Sequence, residues 1–158
     1  IPLTPVFSKL VDFTIAFIIL FGLMAWYGIS PTVNLVFLPI LILMMMLTAS
    51  GIGMWLSAMA IQYRDIPQGV GFLSQLLMYA APVVWPLSLF QERFGESATL
   101  IYGIYPMAGV IEGFRSSLLD HNPMPWELIS IGTLTAIFLF ISGALYFKNK
   151  ERIFVDVA

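Results

Sequence analysis

The sequence predicts an all-α, polytopic membrane protein, and three observations carry that prediction. Of 158 residues, 59% are hydrophobic and 10% charged, with a mean hydropathy of +0.93, whereas soluble domains average about 25% charged residues. Apolar runs long enough to cross a hydrocarbon core, about 20 residues as a helix, occur at about 10–29, 33–61, 69–90 and 128–147. The third observation is the stretch 107–119, which has apolar residues at helical spacing together with Glu112 and Arg115. It is too short to span. A charged pair facing lipid at mid-membrane costs several kcal/mol, so this helix must lie against protein, dip in and return, or rest at the interface.

The chain opens on Ile1 rather than Met and carries no basic leader or small-residue cleavage site, so it reads as the C-terminal portion of a longer protein. Pro2, Pro5, Ser8 and Lys9 make an interfacial approach to the first span. Asp12, three residues after Lys9, forms an interfacial pair with it at the helix start. Ser30, Pro31 and Thr32 are a turn. The second run exceeds the bilayer thickness, so its helix should tilt, bend or project, with Pro39 as the bend. Ala49, Gly53 and Ser57 form a ladder of small residues that lets a neighbouring helix approach closely. Met44, Met45 and Met46 read as adaptable core rather than metal ligands.

Tyr63, Arg64 and Asp65 sit in a polar loop before Pro67. In the third run, Pro82 and Pro86 remove helical hydrogen bonds, so a helix is expected to about Ala81, followed by a broken end carrying Trp85 near the interface. A polar loop at 91–96 leads to a short re-entrant element at about 98–121, closed by Pro123 and Pro125. The last span runs straight into Lys148, Lys150 and Arg152. Four spans place Lys9, Arg64, Lys148, Lys150 and Arg152 on one side and Arg93 and Arg115 on the other. The positive-inside rule then predicts a multi-pass protein with a cytoplasmic C-terminus and an external Glu112/Arg115 element.

Composition also narrows the chemistry. A net charge of -2 offers nothing to nucleic acid, and zero cysteines with a single histidine, His121, leave no metal site. No metalloprotease, hydrolase-elbow or phosphate-loop motif is present, so no catalytic residue and no bond chemistry is expected. Buried carboxylates for ion coupling are missing as well, so uphill transport would draw its energy from another subunit. Tyr79, Trp85, Tyr102, Tyr105 and Phe114 are candidates to line a path for an amphipathic chain such as a polysaccharide, whose C–H faces stack on rings. Glu112 and Arg115 are either a structural pair or a gate at the exit mouth.

The order of motifs resembles the membrane subunit of ATP-binding cassette exporters for surface polysaccharides, the permeases of O-antigen, capsule or teichoic acid. The matching pieces are LVDF at 10–13, SAMAIQYRDI at 57–66, APVVWPLSLF at 81–90, YPMAGVIEGFRSSLL at 105–119 and YFKNKERIFVDV at 146–157. The resemblance implies helices three to six of a six-helix permease in the bacterial cytoplasmic (inner) membrane. It implies work as a homodimer with two cytoplasmic ATPase subunits, which hold ATP and Mg, and a lipid-linked glycan or polyol-phosphate polymer as substrate. It also implies a pair of re-entrant helices at the periplasmic mouth and a cytoplasmic position for Tyr63, Arg64 and Asp65. Tyr105-Pro106 stands where that family commonly has Asn-Pro, so any role of the Asn does not carry over. The alternatives are a drug or lipid exporter of the same fold and an integral-membrane enzyme of glycan or lipid assembly.

Overall fold

The structure, a computed structural model, describes residues 3–83, 87–119 and 123–155, and no strand occurs among them. The helices are α1 (Thr4–Trp26), a 3-10 turn (Val33–Phe37), α2 (Leu38–Gln62), α3 (Ile66–Ala80), α4 (Leu87–Phe94), α5 (Glu96–Gly103), α6 (Pro106–Leu119) and α7 (Trp126–Val155). Prolines set most of the starts. Each of α1, α2 and α3 has a proline in its first two positions, and Pro106 begins α6, where the missing N–H has no intrahelical partner to lose. Pro39 therefore starts α2 after the 3-10 turn instead of bending a longer helix. Gly28, at φ 70, turns the chain out of α1 in a conformation that other residues rarely adopt.

Among the described residues three helical segments are long and apolar enough to cross a membrane: Thr4–Trp26, Val33–Gln62 and Trp126–Glu151. The fourth expected run, 69–90, is not one helix. Its first part, α3, stops after 15 residues, about 22 Å at 1.5 Å per residue. Ala81 then takes an extended conformation (φ -73, ψ 144), as a residue before proline prefers.

Helices α2 and α7 form the centre of the molecule and run parallel. Thr133 reaches Met44 near their starts, the backbones meet at Gly51 and Leu139, and Trp55 stacks on Tyr146 further along at 4.4 Å. A Cβ on Gly51 would sit 2.6 Å from the Leu139 carbonyl carbon, and one on Gly143 would sit 2.5 Å from the Gly51 oxygen. Only glycine permits that approach. The buried cluster Leu38, Leu41, Met44, Val110, Met124, Ile129 and Ala136 fills the seam, which places Met44 in the core as its chemistry suggested. Helix α3 leaves from the far end of α2.

Helix α1 lies antiparallel to α2 with no residue of its apolar window buried. The Ala49, Gly53 and Ser57 ladder faces α1 across an open groove of about 440 Å³. Gly53 has nothing near it. The expectation that this ladder makes the close approach is therefore corrected: Gly51, on another face of the same helix, makes it, because Gly143 is its partner.

Candidate functional site

The site is built around α6. It is held against the α2–α7 pair by two glycines, since a Cβ on Gly109 would lie 2.9 Å from the Leu128 oxygen and one on Gly113 2.8 Å from Leu41 Cδ2. The end of the helix is fixed as well. Its terminal carbonyls lack intrahelical donors, and Thr32, in the turn between α1 and α2, supplies both its backbone N–H (3.2 Å) and its hydroxyl (2.6 Å) to the Ser117 carbonyl. Ser117 in return donates to the Asn34 carbonyl at 3.2 Å. The Thr32 turn and the α6 element thus share one end of the bundle.

At the other end of α6 the chain dips. The α5–α6 junction shares an apolar cleft of about 570 Å³ with Ile52, Thr135 and Leu139, residues in the middle of α2 and α7. Leu77, in the last full turn of α3, lines the same cleft. The end of α3 therefore lies level with the middle of α2 and α7, and a carbonyl that proline leaves without an intrahelical donor needs another one.

Three side chains donate to carbonyls at this end, that of Leu77 also accepting the Ala81 N–H at 3.0 Å. The Tyr105 hydroxyl donates to the Leu77 carbonyl at 3.1 Å, and the Tyr102 hydroxyl donates to the Ala80 carbonyl. Arg115 Nη2 donates to the Pro82 carbonyl at 3.0 Å. In an unbroken helix, residue 86 would donate to that carbonyl, but residue 86 is proline and has no N–H. Arg115 Nη1 also donates to Glu112 Oε1 at 2.5 Å, with the Glu112 side chain 8% exposed and that of Arg115 26%. The guanidinium thus lies beside the negative end of the α3 dipole and beside a buried carboxylate. Burial, and then the Glu112 charge, push the Tyr102 phenol above its ordinary value; burial, and then Tyr102, do the same for Tyr105. Both remain protonated donors at neutral pH.

The aromatic candidates separate. Tyr102 and Tyr105 come together on the cleft. Phe114 instead packs on α1, with ring centroids 5.8 Å from Phe13 and 5.9 Å from Phe17, while Tyr79 is 65% exposed on α3. Trp85 lies outside the described residues, as do residues 120–122 at the end of the expected re-entrant element. Tyr63, Arg64 and Asp65 are exposed between α2 and α3, and Lys9 and Asp12 pair at 2.8 Å on the surface of α1. Among the described residues no three metal-binding side chains gather. The anchoring role of Thr32 and Ser117 was not anticipated; the spacing of Pro82 and Pro86, four apart, was the signal that one carbonyl would need a distant donor.

Residues 5–119 match the family described as ABC-2 type transporter. The chain is also similar to two proteins named O-antigen export system permease protein RfbA. It is 23% identical to that of Myxococcus xanthus, covering 96% of this chain and 58% of the relative. It is 24% identical to one from Klebsiella pneumoniae, covering 99% and 59%. The chain spans about three fifths of the length of these curated relatives. No solved structure matches it.

Proposed function

The chain belongs to the ABC-2 type transporter family, and from that premise we propose that it is part of the permease subunit of an ATP-driven exporter of a lipid-linked polysaccharide or polyol-phosphate polymer. The observation that carries the reading is the junction at which α5 and α6 dip to the level of the broken α3 and satisfy its carbonyls through Tyr102, Tyr105 and Arg115. Such a junction closes an opening by contacts that can be exchanged, which a permease needs and a scaffold does not. The names of the similar proteins support O-antigen or a related surface glycan, capsule or teichoic acid included, as the substrate class.

In this proposal the protein sits in the bacterial inner membrane with its C-terminus, Lys148 and Lys150 included, in the cytoplasm. Two copies pair, and two ATPase subunits bind ATP and Mg beneath them. Tighter binding of ATP to the clamped state biases the permease halves toward an open path between the copies. Glu112 and Arg115 form the periplasmic gate of the re-entrant α5–α6 pair. The rings of Tyr102 and Tyr105 on the cleft offer faces to the passing sugars, with Tyr79, Trp85 and Phe114 as the further candidates. Tyr63, Arg64 and Asp65 face the ATPase side, and the permease itself breaks no bond.

A second reading, export of a lipid or drug, draws on the apolar lining of the cleft. Deletion of the gene in its host separates the two. Loss of surface polymer with its lipid-linked precursor retained inside supports glycan export, whereas an unchanged surface glycan contradicts it. Arg115→Ala at normal protein level should lower export, and unchanged export would remove the gate.

A further inference from the structure

The molecule divides into a tightly packed part and a loosely held one. Helices α2, α6 and α7 meet through backbone approaches that only glycine allows, at Gly51, Gly109 and Gly143. Helix α5 joins them, since a Cβ on Gly103 would lie 3.1 Å from Leu128 Cδ2. Helix α3 has no such seat. None of its residues is buried, and Gly69 and Gly71 look onto open space. The apolar cleft of about 570 Å³ lies between its last turn and the α2–α7 pair. What reaches across from the packed part to the end of α3 is the set of three polar donors, Tyr102, Tyr105 and Arg115.

We propose that α3 with its broken end is the moving part of the exit, and that Tyr102, Tyr105 and Arg115 are positioning residues forming the latch that holds it against a stationary α5–α6 hairpin. The proposal rests on the permease reading and reverses the obvious picture, in which the short charged helix swings away. A packed glycine seam does not open in small steps, because interdigitated backbones lose all their contacts together. Hydrogen bonds to freed carbonyls do exchange, provided another donor arrives. A hydroxyl-rich chain entering the opening supplies such donors to the Ala80 and Pro82 carbonyls when the latch releases, while the Leu77 carbonyl keeps the Ala81 N–H. The proline break thus places acceptors where a glycan passes, and the tyrosines cap them in its absence.

The test uses the full-length protein in its own membrane, with any other cysteines replaced by serine. One thiol is introduced by Ala81→Cys, at a residue 4% exposed beside the latch. Another is introduced separately by Ala108→Cys, at a residue with no exposure in the packed part. Each is labelled with a membrane-impermeant maleimide, alone and combined with Tyr102→Phe, Tyr105→Phe or Arg115→Lys. The two tyrosine changes keep the rings and remove only the hydroxyls. Labelling of Ala81→Cys should rise about fivefold per hydroxyl removed, the population change that one net hydrogen bond carries, while Ala108→Cys stays at background. Unchanged labelling of Ala81→Cys with both hydroxyls gone would overturn the latch. A parallel rise at both thiols would overturn the stationary hairpin. Labelling is read without transport, so its outcome stands apart from the deletion result that decides the permease reading.

Discussion

Arg115 serves two acceptors with two nitrogens, Glu112 through Nη1 and the Pro82 carbonyl through Nη2. The partners differ in what their loss leaves behind. Removing Glu112 leaves a guanidinium that still bonds Pro82 and reaches water, whereas removing Arg115 leaves a buried carboxylate with its cation gone. Breaking a buried pair by deleting one member costs about 3 kcal/mol, while a lost neutral-range hydrogen bond costs about 1. Arg115→Met should therefore destabilise the purified full-length protein more than Glu112→Gln in thermal unfolding; equal shifts would mean that Glu112 is held by other contacts. The pair itself was legible, because residues three apart share a helix face. Its third member was not, since Pro82 lies 33 residues away and its need for a donor shows only once Pro86 is read against it.

A similar limit appears at the level of the helices. The α2 sequence from Thr48 to Ala58 is small-residue-rich on several faces, so periodicity alone names no partner. The seam chose Gly51 because α7 presents Gly143 at the same level, a match between segments far apart in the chain. Gly51→Ala should lower the melting temperature, overpacking of this kind costing about 1–3 kcal/mol. Gly53→Ala, in open space, should leave it unchanged or slightly raised, as alanine favours helix. The opposite ranking would place the seam on the ladder. The break in α3 was readable because proline acts locally through its missing N–H and its restriction of the preceding residue, whereas two helix starts were not: Pro5, expected in an approach to the first span, and Pro39, expected at a bend, stand in the first turns of α1 and α2. That the 107–119 stretch is too short to span was readable as a length argument, whereas the seating of Gly103 and Gly109 against Leu128 was not.

For the molecule as a whole, composition and run length were enough to indicate the all-helical membrane class, since continuous apolar runs of about 20 residues suit helices, whereas barrel strands are about 10 residues long and alternate. Helices α2 and α7 run parallel with the Thr32 turn and α6 at one end, and among the described residues three segments are long and apolar enough to span where the sequence suggested four. Substrate and partners lie beyond the folded chain, which covers about three fifths of its relatives. The central claim is that this permease works with a separate ATPase. The most direct test is gentle purification of the tagged full-length protein from its host membrane, with its stoichiometric partners identified by mass spectrometry. The account predicts a roughly equimolar ATPase carrying a phosphate-binding loop. Recovery of the protein, folded and abundant, with no ATPase bound would contradict it.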